Sequence, residues 1–407
     1  MQTGMLIVMA CATVYAMFAK RLASTIVTAP MIFLGVGYLL AQSGVMPQQG
    51  AEELLHIVAE VALIILLFVD ASKTDFVALR KQHIWPQRML LIGLPLSLLF
   101  GTAVAFFVFP DWSIFAVALV AAILAPTDAA LGQAVVSNEQ VPIEERRALT
   151  VESGLNDGLA LPVVLFFACT LATMEGEHQS NFLIFTAQQL ILGPLIGGLV
   201  GWLGAKAMLA AAERGFTEPL YEGIAAIALA ASAYLAANMV DGNGFISAFV
   251  AGLAFGNILQ DRVKYVYEFA ESEGQILIWA AFLLLGMALL PEALHALDGP
   301  MLLMILLSLF VVRPLAIYVS LLGSSAPPLT RLFFGWFGPR GLATALFALL
   351  IVGDINHAYA EPVLAVAVNA VWISALLHGI SAAPGANWYA RRVTRDISKI
   401  VTKEGRL

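Results

Sequence analysis

Charged residues are scarce in this sequence. Lys, Arg, Asp and Glu make up 12% of its 407 residues, whereas hydrophobic residues make up 60%. Water-soluble domains carry charge on about a quarter of their residues, so this composition excludes a soluble globular protein. Apolar stretches of about 20 residues, the length that crosses a bilayer, recur instead from one end to the other. The sequence therefore predicts a polytopic membrane protein.

Cysteines and linker sequences are also scarce. Cys11 and Cys169, the two cysteines, lie inside apolar runs, which indicates small packed residues rather than a disulfide or a metal site. No Pro/Gly/Ser-rich linker divides the chain, and no basic segment precedes the first apolar run, so we expect that run to be a membrane span and not a signal peptide. We expect one membrane domain over 1–383 and a short basic cytoplasmic tail over 384–407.

Basic residues are missing from every second connection between the apolar runs. The runs predict thirteen spans, at 5–19, 26–41, 54–70, 89–109, 113–136, 148–173, 182–208, 220–240, 245–259, 270–290, 300–322, 332–353 and 361–383. Of the 21 Lys and Arg residues, 19 follow odd-numbered spans or lie in the tail. By the positive-inside rule the N-terminus lies outside and the C-terminus lies in the cytoplasm. The two exceptions, Arg313 and Arg340, are expected within the membrane.

Spans one to six and spans eight to thirteen are related by a shift of seven spans, so the second set would run in the opposite sense. Inverted repeats of this kind are typical of secondary transporters, which bind substrate between broken helices at the midplane. Span five contains Pro126, and span twelve contains the sequence GPRG at 338–341. Asp128 and Arg340 lie at these two breaks, which predicts a site where they meet.

The stretch VESGLNDGLALP at 151–162 places carboxylates inside span six. Asp157 lies ten residues beyond Arg147, or about 15 Å, near the centre of the bilayer. Ser153 shares a helical face with Asp157, whereas Glu152 lies roughly 140° away. We therefore expect Glu152 to pair with a buried cation, and we choose Arg340 over Arg313, which stays a secondary candidate.

Oxygen-bearing side chains are concentrated at these positions. A small hard cation prefers carboxylate, hydroxyl, amide and carbonyl oxygens, and the candidates for cation and proton binding are Asp157, Asp128, Asn156, Ser153 and Thr127. A desolvated carboxylate can hold either a proton or a cation. Competition between the two at one carboxylate would exchange them without another source of energy.

Five motifs together resemble the monovalent cation:proton antiporters, in the branch of NhaP proteins and NHE exchangers. They are PTD at 126–128, ESGLNDG at 152–158, GFISAFVAGLAFGN at 244–257, VVRPLAIY at 311–318 and GPRGL at 338–342. The resemblance implies an all-α fold of about 13 transmembrane helices, with inverted six-helix repeats and two broken, crossing helices. It also implies a transporter rather than an enzyme. Ala129 departs from the second proline that many relatives carry after PTD.

The same resemblance assigns roles to residues. It implies that Asp157 binds cation and proton, with Asp128, Thr127, Ser153 and Asn156 helping to coordinate, and that Glu152 pairs with Arg340. Core helices would lie at 89–173 and 300–383, and the helices of the dimer scaffold at 5–70 and 182–290. Relatives are homodimers of the cell (inner) membrane. No cofactor or nucleic-acid partner is expected, only the transported Na⁺ or Li⁺ and H⁺.

Several alternatives stay open. Na⁺ or Li⁺ is the default cation of the family, K⁺ is the alternative, and no motif decides between them. The electrogenic branch has two adjacent aspartates where this chain has Asn156 and Asp157, so we expect electroneutral 1:1 exchange. Glu60 resembles a position lining the ion path, but equally suits a packed carboxylate. An intramembrane aspartyl protease would also place two Asp residues, here Asp128 and Asp157, on neighbouring spans; that class shows GxGD, which is absent here.

Overall fold

The computed structural model of the chain describes residues 2–22, 25–46, 50–74, 84–128, 131–174, 182–259 and 264–404, and the regular elements in these ranges are helices. The first half contains α1 (Gln2–Leu22), α2 (Ala29–Ser43), α3 (Ala51–Ser72), α4 (Ile84–Val108), the two pieces α5a (Ile114–Ile123) and α5b (Gln133–Val136), and α6 (Ile143–Met174). The second half contains α7 (Phe182–Glu213), α8 (Pro219–Asn238), α9 (Gly244–Leu259), α10 (Lys264–Ala288) with a short extension (Leu290–Ala296), α11 (Gly299–Ser320), the pieces α12a (Pro328–Trp336) and α12b (Leu342–Ile351), and α13 (His357–Glu404).

These helices match the thirteen predicted spans one by one. Within the described ranges, eight helices are long and apolar enough to cross a membrane alone, and α10 with its extension makes a ninth span that bends by 49°. The other four spans correspond to shorter apolar helices, at Ala29–Ser43, Ile114–Ile123, Gly244–Leu259 and Leu342–Ile351. The prediction of an all-α membrane fold with about 13 spans is confirmed.

The last predicted boundary differs from the structure. Residue 383 was expected to end span thirteen, yet α13 continues without interruption to Glu404. Tyr389 is fully buried on this continuation and bridges Thr330 and Glu145 by hydrogen bonds. The helix therefore extends beyond the predicted span, and its residues just after Pro384 contact other helices.

Matching irregularities in α4 and α11 support the inverted repeat. Each helix contains a π-helical turn, at Met89–Gly93 and at Ser308–Val312, in which an amide bonds the carbonyl five residues back. A proline follows each turn at the second position, Pro95 and Pro314. Proline has no amide to donate, so it favours this local rearrangement of the helical hydrogen bonds. In α11 the turn comes directly before Arg313.

Helix α9 approaches both α3 and α7 through glycine. A Cβ atom at Gly252 would overlap the main chain at Phe68, and one at Gly256 would overlap the main chain at Ser72. Glycine at four-residue spacing lets helix backbones come this close, as in many membrane helix pairs. Gly201 of α7 makes the same kind of approach to Ala251 of α9.

Gly201→Ala should destabilise the protein by about 1–3 kcal/mol, because the added methyl group meets the fixed carbonyl of Ala251. Gly198→Ala on the same helix is the matched control, since a Cβ there meets only the Val250 side chain, at 3.9 Å. The control should be neutral or slightly stabilising, because alanine favours helix over glycine. Thermal unfolding of both variants in one detergent measures the difference. Equal melting temperatures would contradict the close approach of α7 and α9.

Candidate functional site

The unwound segments of α5 and α12 cross at the centre of the helix bundle. The amide of Asp128 donates to the carbonyl of Pro339 at 2.9 Å, and the amide of Leu342 donates to Oδ2 of Asp128 at 2.9 Å. Leu342 is the first residue of α12b, so Asp128 caps the positive end of that helix. A Cβ at Gly341 would overlap the Asp128 carboxylate, which explains the glycine.

Arg340 makes the reciprocal contact with the broken helix α5. Its Nη1 donates to the carbonyls of Ala125 and Pro126 at 3.2 and 3.1 Å, just beyond the C-terminus of α5a. Its Nη2 lies 3.4 Å from Oγ of Ser308 in α11. A cation is favourable at the C-terminal end of a helix, where carbonyls lack amide partners. Each break therefore supplies the charge that the other break needs.

Glu152 pairs with Arg313, so the predicted pair of Glu152 with Arg340 is wrong. Nη1 and Nη2 of Arg313 donate to Oε1 and Oε2 of Glu152 at 3.0 and 3.1 Å, a bidentate contact between two buried side chains. A Cβ at Gly338 would overlap the Arg313 guanidinium, so this glycine makes room for the pair. The prediction considered only charged partners for Arg340, whereas its guanidinium donates to main-chain carbonyls.

The predicted ligands Thr127, Ser153 and Asn156 lie together as expected. Nδ2 of Asn156 donates to Oγ1 of Thr127 at 2.5 Å and to Oε1 of Glu152 at 3.3 Å. Oγ1 of Thr127 lies 3.3 Å from both Oε2 of Glu152 and Oγ of Ser153. Glu152 thus belongs to the same polar cluster as these residues, although it occupies a different face of α6 from Asp157.

Asp157 is the buried carboxylate that this cluster leaves uncompensated. Its side chain is 6% exposed, and in the described part of the chain its Oδ1 has no hydrogen-bond partner. Oδ1 of Asn156 next to it is also buried without a partner there. Unpaired buried oxygen atoms are costly, and a proton or a small cation relieves that cost. The Phe249 ring of α9 packs directly against the next residue, Gly158.

Two further carboxylates lie on α3. Glu60 accepts a hydrogen bond from Tyr234 at 2.5 Å and lines a cavity of about 100 Å³ with His56 of α3 and Leu346 of α12b. Its predicted place on the ion path stays a prediction. Asp70 lies 3.4 Å from Lys73 in an ion pair and packs beside Gly154 of α6, where a Cβ would lie 3.5 Å from its own. No motif in the sequence indicated that approach.

Removing either partner of the Glu152–Arg313 pair should cost about 3–5 kcal/mol of stability, because it leaves an uncompensated buried charge. The double variant Glu152→Gln, Arg313→Met should recover part of that loss. Thermal unfolding of the single and double variants gives the coupling energy. The cycle of Glu152→Gln with Arg340→Met is the control and should show a smaller coupling. A larger coupling to Arg340 would contradict the pairing described here.

Comparisons with known proteins point to one family. Residues 6–388 match the sequence profile of the family described as sodium/hydrogen exchanger, transmembrane. The K(+)/H(+) antiporter NhaP of Alkalimonas amylolytica is 26% identical over 373 residues, which cover 90% of this chain and 63% of that protein. The K(+)/H(+) antiporter NhaP2 of Shewanella sp. (strain ANA-3) is 27% identical over 330 residues, covering 78% and 55%. The chain therefore spans only 55–63% of the length of these relatives.

A solved structure shares the fold. The sodium proton antiporter MjNhaP1 from Methanocaldococcus jannaschii at pH 8 superposes with a TM-score of 0.78 over 96% of each chain, at 19% sequence identity. At this identity the likeness concerns the fold alone, and it confirms the antiporter-like architecture that the motifs implied. Since the family profile covers the chain almost from end to end, the protein belongs to the transmembrane sodium/hydrogen exchanger family.

Proposed function

We propose that the chain exchanges a monovalent cation for a proton across a membrane, with both ligands competing for Asp157. The observation that carries this proposal is the unpartnered, buried Oδ1 of Asp157 beside an unpartnered Oδ1 of Asn156, as far as the described residues show. These two oxygens, with Asp128 and the hydroxyls of Thr127 and Ser153, are the ligand types that a small hard cation takes. A proton neutralises the same carboxylate in the other half of the cycle.

The charges at the crossing support a single exchanged ion per cycle. Arg313 is balanced by Glu152, and Arg340 and Asp128 each occupy the helix end of opposite sign. Asp157 remains as one negative charge that requires one positive partner. Movement of the bare carboxylate through an apolar environment is unfavourable, so each transfer carries either one proton or one monovalent cation.

For the cation we favour Na⁺ or Li⁺, with K⁺ as the alternative. The family description and the structural neighbour name sodium, whereas the two relatives described above are named as K(+)/H(+) antiporters. An intramembrane aspartyl protease is disfavoured, because Oδ2 of Asp128 accepts the Leu342 amide at the start of α12b.

The setting of this activity follows from the same proposal. The chain lies in the cell (inner) membrane with its N-terminus outside and its C-terminus in the cytoplasm, which rests on the distribution of its Lys and Arg residues. It acts as a homodimer in which core helices over 89–173 and 300–383 move against a scaffold over 5–70 and 182–290. The glycine-mediated packing of α3, α7 and α9 supports a stiff scaffold.

Asp157→Asn should abolish exchange while the protein stays folded, because asparagine keeps the shape but cannot release a proton. Purified protein in liposomes, tested with Na⁺, Li⁺ and K⁺ against an imposed pH gradient, measures the flux and identifies the cation. Asp111→Asn, at an exposed carboxylate before α5a, is the matched control and should exchange normally. Near-normal cation-driven proton movement in Asp157→Asn would overturn the mechanism, and no flux with any cation in the wild type would overturn the function.

Exchange should be electroneutral and therefore insensitive to membrane potential, because Asn156 cannot titrate and Asp128 holds its charge at the start of α12b. Proteoliposomes clamped with valinomycin and K⁺, with Na⁺ as the transported cation, test this directly. A protonophore in the same vesicles is the positive control for a voltage-dependent proton flux. A rate or reversal point that shifts with voltage would identify Asp128 as a second proton carrier.

A further inference from the structure

The break of α12 is held on its far side by polar side chains of α13. His378 Nε2 lies 2.9 Å from the carbonyl of Trp336, the last residue of α12a, and the Trp336 indole donates to Oγ of Ser381 at 3.0 Å. Oγ of Ser374 accepts the amide of Arg340 at 2.7 Å. These contacts satisfy main-chain groups that the unwound segment exposes.

Ser374, His378 and Ser381 form one stripe on α13, at helical spacing of four and three residues, and are called the α13 clamp below. His378 is 1% exposed. Nε2 of His378 faces the carbonyl of Trp336, and Nδ1 lies 3.1 Å from the hydroxyl and 3.0 Å from the carbonyl of Ser374, so the ring has a polar partner on each side. A continuous line of donors and acceptors then runs from the Arg340 amide through Ser374 and His378 to Trp336.

We propose that the α13 clamp positions the break of α12 and so sets the geometry of the cation site, without touching the cation. The clamp holds Arg340 by its amide, and the Arg340 guanidinium holds the carbonyls of the α5 break. Two residues further on, the Leu342 amide holds Asp128. The clamp thus acts on ligand placement through the shared backbone of 336–342. This inference rests on the proposed exchange activity and adds positioning residues to it.

A buried hydrogen bond elsewhere on α13 distinguishes positioning from simple packing. Asn369 is fully buried, and its Nδ2 donates to the carbonyl of Ala293 in the short extension after α10 at 2.6 Å. Asn369 lies on the same helix as His378 and also bonds a main-chain carbonyl. That carbonyl, however, belongs to Ala293, outside the break of α12. Asn369→Leu is therefore a matched control.

The test compares His378→Leu, His378→Gln and Asn369→Leu in proteoliposomes. Leucine removes both polar contacts of the ring, whereas glutamine keeps a donor close to the Nε2 position. His378→Leu should raise the apparent KM for the cation about fivefold or more, because small displacements of ligands are costly, and His378→Gln should return KM to near the wild-type value. Asn369→Leu should lower the melting temperature and leave KM unchanged.

A second measurement is independent of transport. Hydrogen–deuterium exchange of the peptide over 336–342 should be faster in His378→Leu and in the milder Ser374→Ala than in the wild type, and unchanged in Asn369→Leu. An unchanged KM in His378→Leu, a glutamine variant as impaired as the leucine variant, or unchanged amide exchange over the break would each overturn the positioning role. Absence of flux in the wild type would overturn the proposed function. The hydrogen–deuterium exchange measurement would then test by itself whether the α13 clamp positions the break.

Discussion

Two broken helices meet inside a membrane protein, and the rest of the site depends on how their main-chain groups are satisfied. No water is present in a bilayer core to bind an exposed amide or carbonyl, so protein groups take that role. Asp128 accepts the amide at the start of α12b, and Arg340 donates to the carbonyls beyond α5a. Because each charged side chain belongs to the opposite break, neither helix can be broken stably without the other.

The choice of partner for Arg340 determines the remaining charges. Because Arg340 donates to main-chain carbonyls, Glu152 pairs with Arg313 instead. Arg313 directly follows the π-helical turn of α11. Glycine at 338 and 341 leaves the space that Arg313 and Asp128 fill. The crossing is then balanced except at Asp157. An uncompensated carboxylate is ordinarily unfavourable in a membrane interior, and in the proposed function it is the group for which the proton and the cation compete.

The sequence predicted those features that depend on average hydropathy over a stretch of residues, or on residue types that are rare in a membrane. Hydropathy and the distribution of Lys and Arg predicted all thirteen spans, and the breaks at Pro126 and Pro339 predicted where α5 and α12 unwind. Partner choice was not predictable in this way, because Arg313 and Arg340 are equally charged and equally rare. What distinguishes them is which of the two lies close to main-chain carbonyls without amide partners.

The continuation of α13 past 383 was missed for a related reason. Tyr389 is buried by contacts with Glu145 and Thr330, and hydropathy does not record specific partners.

The location of the polar contacts also bears on movement. The hydrogen bonds given above for the crossing lie within or between α5, α6, α11, α12 and α13. The contact from α9 is of another kind, because the apolar Phe249 ring lies against Gly158 of α6. Sliding an apolar ring across a glycine breaks no ion pair, whereas shifting one of the five polar helices against another would separate buried charges. Buried polar contacts therefore tie the five helices to one another, whereas the contact between α9 and α6 at Gly158 involves no charged group.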